Sequence, residues 1–186
     1  MKKPESEQLF ANALNTIPEL GPIRLTKILN FFGSYEAAFN KSASQYINAG
    51  LEANISNSIA EKMRNINPEE EYEKTKKHNI RILLNSDPAF PQLLKEIIPS
   101  PPLLYIRGDL SVLNNYCLGI VGTRKISNYG LRILSELIPI LVTHKITIVS
   151  GLAFGTDAAA LEETIRCGGQ TISILPSPVD DNSFFF

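Results

Sequence analysis

The sequence predicts an α/β fold: a parallel sheet with crossover helices, incomplete at its C-terminal end, preceded by a small all-helical domain. Three observations predict it. Residues 117–175 alternate short apolar runs with amphipathic helical stretches, the pattern of parallel strands joined by helices. Residues 1–78 carry their apolar residues at helical spacing. Between the two patterns, Pro99-Ser100-Pro101-Pro102 makes a stiff connection rather than a flexible one. The expected domains are residues 1–78, helical, and residues 79–186, α/β.

Each element follows from its residues. Glu5 to Asn15 places Leu9, Phe10, Ala13 and Leu14 on one helical stripe. The Gly21-Pro22 turn opens a second helix with Ile23, Leu25, Ile28, Leu29 and Phe32 as its apolar residues, and Gly33 stops it. Ser34 can cap the next short helix, and Ser42 or Ser44 the one after. Residues 51–66 form another helical segment. Asn67-Pro68 followed by Glu69, Glu70 and Glu71 supplies a cap, a first-position proline and acids at the positive end of a helix dipole. The turn at Gly21, with Arg24 and Lys27 close behind, is open to two readings. Helix-hairpin-helix modules offer such N–H groups to a DNA phosphate. An ordinary helical hairpin with solvated cations explains the same residues.

From Ile80 the pattern changes. "IRILL" reads as a strand, "DPAFPQLLKEI" as a turn and short helix, and "PLLYIRG" as a second strand. "CLGIV" is apolar throughout, as expected for a strand buried on both faces. Ser127 to His144 is a helix whose Leu131, Leu134, Leu137, Ile138, Leu141 and Val142 can cover a sheet, with Pro139 expected to kink or break it. "ITIVS", a helix over Asp157 to Cys167, and "TISIL" complete a βαβαβ unit. The closing "PSPVDDNSFFF" would leave a three-strand sheet with an unpaired edge, so a truncated domain is expected.

Composition excludes several classes. Hydrophobic residues at 44% and charged residues at 20% suit a globular protein, and no apolar run approaches the roughly 18 residues of a membrane span. The start, "MKKPESEQ", is too polar for a signal peptide, so a cytoplasmic home and no membrane partner are expected. Cys117 and Cys167 with His78 and His144 make neither a zinc constellation nor a disulfide framework; both cysteines are expected to be buried apolar residues. A net charge of −1 means that any polyanion site must be a local cluster.

Ligands of an open parallel sheet bind outside the carboxyl ends of its strands. Three loops leave those ends: Gly122-Thr123-Arg124-Lys125, the stretch from Ser150 and Gly151 through Phe154, Gly155 and Thr156 to Asp157, and Pro176-Ser177-Pro178. The first two lead into helix N-termini, whose N–H groups and dipoles favour an anion, and their glycines permit close approach. Arg124 adds a planar fork suited to phosphate oxygens. Arg124 and Lys125 also fit a pair of solvated loop cations, and Phe154 is open to either base stacking or packing. Asp157 at a helix start reads as a cap ahead of a catalytic base. There is no G-x-G-x-x-G, no G-K-[ST] and no Ser-His-Asp or Cys-His set, so no cofactor, metal or catalytic residue is expected.

"IVGTRKISNYG", "IVSGLAFGTDAAA" and "GGQTISIL" resemble, in order and spacing, three motifs of the DNA-processing protein A family (DprA, also called Smf). "DPAFPQLLKEI" with "PPLLYIRGDLSVL" resembles the family's run into the fold, and "LGPIRLTKILNFFGSYEAAF" its small N-terminal domain, of the SAM or helix-hairpin-helix kind. The resemblance implies a Rossmann-like domain that binds single-stranded DNA without enzymatic turnover. It also implies that the protein helps load the RecA recombinase during natural transformation. Arg124 matches the family's DNA-contacting arginine, and Gly122, Ser150, Gly151, Gly155, Asp157, Gly168 and Gly169 match its glycine-rich pocket walls. Thr156, Leu161, Pro176 and Pro178 depart from the pattern, and the family's homodimer surface falls beyond residue 186. The alternative is a nucleotide-phosphate-binding enzyme of the phosphoribohydrolase, lysine-decarboxylase-like group. Its P-G-G-x-G-T-x-x-E motif is not matched, since "CGGQTIS" lacks both the proline and the glutamate.

Overall fold

The computed structural model describes residues 4–180, and the phenylalanine run at 184–186 lies outside the described residues. The chain divides into two compact units, Met1–Arg107 and Gly108–Phe186.

The first unit begins with six helices: α1 (Pro4–Asn15), α2 (Pro22–Phe32), α3 (Tyr35–Ala38), α4 (Ala43–Asn48), α5 (Ala53–Met63) and α6 (Pro68–Lys77). Their ends are set by local chemistry. Gly33 at φ 78 closes α2 by donating its N–H to the Leu29 carbonyl, a backbone conformation that glycine adopts without a Cβ penalty. Ser42 and Gln45 form a reciprocal capping box at α4, and the Asn67 side chain accepts from the Glu69 and Glu70 N–H groups at α6. Strands β1 (Arg81–Leu84) and β2 (Leu103–Ile106) follow, joined through the short helix α7 (Gln92–Glu96) and paired antiparallel with Ile82 opposite Tyr105.

The change of unit falls after Arg107, whereas the periodicity alone places it after residue 78. The reason is packing. Ile82, Leu84 and Leu103 enter the same core as Leu14, Leu25, Ile28, Tyr46 and Ile59. Tyr105 ties β2 to α1 as well, donating to Asn12 Oδ1 at 2.9 Å and accepting from Asn15 Nδ2 at 3.1 Å. At the Gly21 turn, Arg24 is folded back on its own unit, bonded to the Glu19 carbonyl at 3.0 Å and paired with Glu52 at 3.3 Å. That arrangement is consistent with an ordinary helical hairpin.

The second unit is α/β. A 3-10 turn (Leu110–Asn114) leads to β3 (Cys117–Gly119), α8 (Asn128–Thr143), β4 (Thr147–Ser150), α9 (Thr156–Arg166) and β5 (Thr171–Ser173). The sheet is parallel in the order β3-β4-β5, with Leu118 opposite Ile148 and Val149 opposite Ile172. Its core gathers Leu134 and Ile138 of α8, Ile148 of β4, and Ala160 and Leu161 of α9.

Three expectations for this unit need correction. All three residues of β3 are exposed among the described residues, which pair it with β4 alone, so its apolar run is not covered on both faces here. Cys117 is exposed with it, and Cys167 is half-buried at the end of α9. Helix α8 continues through Pro139, so of the expected kink or break the break does not occur. The turn after the proline is held by Thr143 Oγ1 bonding the Pro139 carbonyl at 2.6 Å.

Candidate functional site

Two loops at the carboxyl ends of β3 and β4 lock together. Asp157, in the first turn of α9, is only 6% exposed. One of its oxygens accepts the Gly122 N–H at 3.2 Å, and the other accepts the Gly151 N–H at 3.1 Å. A single carboxylate thus fixes one glycine from each loop, with hydrogen bonds strengthened by its charge. Ser150 adds a third link, donating to the Ile120 carbonyl at 2.6 Å.

Thr156 completes the clamp from the other side. Its N–H and its hydroxyl both donate to the Thr123 carbonyl, at 3.0 and 3.2 Å. The approach is close enough to demand glycines. A Cβ on Gly122 would stand 2.6 Å from Thr156 Oγ1, and one on Gly155 would stand 2.4 Å from the Thr123 oxygen. Lys125 N–H in turn donates to Thr123 Oγ1 at 3.2 Å, which sets the direction of the turn.

The clamp presents Thr123, Arg124 and Lys125 to solvent on a fixed backbone. Phe154, 59% exposed, rises from the second loop. The third loop joins the same end of the sheet through the Ile174 N–H, which donates to the Ser150 carbonyl at 2.9 Å. Tyr129 was not singled out from the sequence. It is 66% exposed in the first turn of α8, with the Arg132 guanidinium 5.8 Å from its ring centroid. An aromatic two residues past the Ser127 cap was the signal available.

Gly122, Thr123, Arg124, Lys125, Ser150, Gly151, Phe154, Gly155, Thr156 and Asp157 are therefore brought together. Gly168 and Gly169 are not. They follow α9 and precede β5, so they lie at the amino end of the sheet, where a Cβ on Gly169 would meet Val142 and Thr164. There they line a separate hollow of about 320 Å³ with Asn115, Lys145 and Gln170.

Asp157 does not cap its own helix: its two oxygens accept the N–H groups of Gly122 and Gly151, one in each loop. The α9 N-terminus likewise spends its Thr156 N–H on Thr123. This corrects the expectation of two open helix ends: the second is closed by the first loop. What remains for an anion is the exposed turn itself and the start of α8, where Ser127 caps Gly130 at 3.2 Å. His144 bonds the Ile140 carbonyl at the far end of α8, away from these loops. Among the described residues, no group of three or more metal-binding side chains comes together. No helix among them is long and apolar enough to cross a membrane.

The chain is 33% identical over 183 residues to the Protein Smf of Synechocystis sp., an alignment covering 94% of this chain and 45% of the relative. It is 35% identical over 94 residues to the DNA processing protein DprA of Streptococcus pneumoniae, covering 50% of this chain and 33% of that protein. The X-ray structure of DprA from the same organism superposes with a TM-score of 0.75, covering 97% of this chain and 60% of that one. Identity there is 23%, so the likeness is one of fold: a Rossmann-like parallel sheet following a helical unit. The chain spans less than half the length of these curated relatives. Residues 81–183, more than half of the chain and both interlocked loops, match the model of the DNA recombination-mediator protein A family, and to that family the chain belongs.

Proposed function

We propose that the second unit binds single-stranded DNA through its phosphates at the Thr123-Arg124-Lys125 turn, with Phe154 as a stacking face. The observation that carries this is the pairing of exposed cations with a rigid backbone. Arg124 and Lys125 are held out by a turn that Thr156 and Asp157 fix from beneath. A preformed cationic turn beside an aromatic suits a strand whose phosphates and base faces are both accessible. No element here is shaped to read base edges, so sequence preference is slight.

The role is one of binding without turnover. The one buried carboxylate of the site accepts two backbone N–H groups, and the Ser150 and Thr156 hydroxyls beside it are themselves bonded to backbone carbonyls, an arrangement that supports a structural use of these groups. Membership of a recombination-mediator family supports RecA recombinase as the protein partner that receives the strand, and the cytoplasm as the place where the two meet. A homodimer would draw on parts of the relatives that this chain does not span.

Fluorescence anisotropy of a labelled oligothymidine, titrated at two salt concentrations, tests the proposal. Binding should weaken with salt by a log–log slope of about −0.7 per phosphate contacted, and Arg124→Ala should lower both affinity and slope. A folded Arg124→Ala chain that binds as tightly as the parent would place the site elsewhere. Displacement by a mononucleotide alone would point to the nucleotide-binding enzyme instead.

A further inference from the structure

The first unit carries a cavity that strand binding by the second unit does not use. It occupies about 610 Å³ between α2 and the segment from Leu84 to Pro102. That volume is of the size that takes a small ligand or a few residues of peptide. Ile23, Ile97 and Ile98 line it and are 60%, 50% and 98% exposed, an apolar surface left facing water. Lys27 and Lys95 line it too, and no carboxylate does among the described residues. Each ammonium rests on a carbonyl: Lys27 on Gly50 and Lys95 on Asp87, both at 3.3 Å. The carboxylate of Glu52, which also feels Lys27, is held by Arg24. Tyr35 is a further lining residue, and its buried hydroxyl has no hydrogen-bond partner among the described residues.

The geometry points to a docking site for a partner peptide that combines carboxylates with aliphatic side chains. Two lysines without an acid between them select a negative ligand, and the isoleucines select an apolar one. Between them the wall carries Thr26, Asn30, Asn85, Ser86 and Ser100. That mixture suits a main chain with amides of its own better than an unbroken hydrocarbon. Nucleic acid fits poorly, because the wall offers no arginine and a single, buried aromatic.

The test uses the full chain and a labelled eight-residue peptide of alternating aspartate and leucine, followed by anisotropy. Two control peptides carry lysine for aspartate or serine for leucine. The acidic, leucine-bearing peptide should bind and the controls should not. Lys95→Glu, at a half-buried position, and Ile98→Asp, at an exposed one, should each weaken it by about fivefold or more. Arg124→Ala should leave it unchanged, which separates this site from the strand-binding turn. Absence of binding, or binding that ignores both substitutions while circular dichroism shows them folded, would overturn the assignment. Displacement of the peptide by decanoate at comparable concentration would overturn it too, in favour of an aliphatic acid as the ligand.

Discussion

Gly155 sits at φ 83 and ψ −120, a combination that side chains avoid, and its missing Cβ is the space the Thr123 carbonyl fills. Gly168 also has a positive φ of 73, yet nothing lies within 4 Å of the Cβ it lacks. The two glycines look alike in the sequence, and the structure separates them. Gly155→Ala should cost about 2–3 kcal/mol, from backbone strain and the clash together, and should weaken oligonucleotide binding by displacing the Arg124 turn. Gly168→Ala should cost about 1 kcal/mol and leave binding intact. Urea denaturation and anisotropy on the two variants decide it, and equal losses of binding would return Gly168 to the site. The glycine loops were legible in the sequence because glycine beside a buried strand already implies close approach. The use made of Asp157 was not, because accepting from Gly122 and Gly151 depends on which loops meet, and that is a property of the sheet order.

The elements were easier to read than their surroundings. Helix ends announced themselves through Gly33, Ser42, Asn67 and Ser127, whose capping needs only neighbours in sequence. The exposure of β3 among the described residues could not be read this way, since an apolar run does not say which elements cover it. Long-range ion pairs stayed hidden for the same reason. Lys62 of α5 and the Ser58 hydroxyl reach Glu19, between α1 and α2, and hold its carboxyl down to about 2 from an ordinary 4.5. Glu52 is lowered as well, by its own backbone N–H and by Arg24. A carboxyl more acidic in the folded state than in the unfolded state binds fewer protons when folded. Its contribution is therefore whole above pH 4.5 and is lost as pH falls toward 2. Thermal melts followed by circular dichroism should show the first unit weakening through that window, and Glu19→Gln should flatten the slope there. Parallel slopes for parent and variant would mean that this junction of helices draws nothing from the pair.

At the scale of the whole molecule, the family match and the physical units do not share a boundary. The match begins at residue 81, yet β1 and β2 lie in the compact unit that ends at Arg107. A segment shared across the family is thus stabilised by the helices that precede it, and the βαβαβ portion after Gly108 has a core of its own. That second core is the smaller one, and β3, with the outer sides of α8 at Ile133, Leu137 and Ile140, remains open to water. Apolar surface left exposed contributes no burial free energy, so the second unit should be the less stable. Calorimetry on the chain should resolve two transitions, the lower belonging to residues 108–186. Because the turn proposed to bind the strand lies in that unit, oligothymidine at a hundred times its dissociation constant should stabilise the lower transition by about 2.7 kcal/mol. The upper transition should not move. With Arg124→Ala the shift should shrink in proportion to the lost affinity. If the nucleotide instead raised the upper transition, the strand would be held by the helical unit, and the proposed site at the β3 and β4 loops would fall.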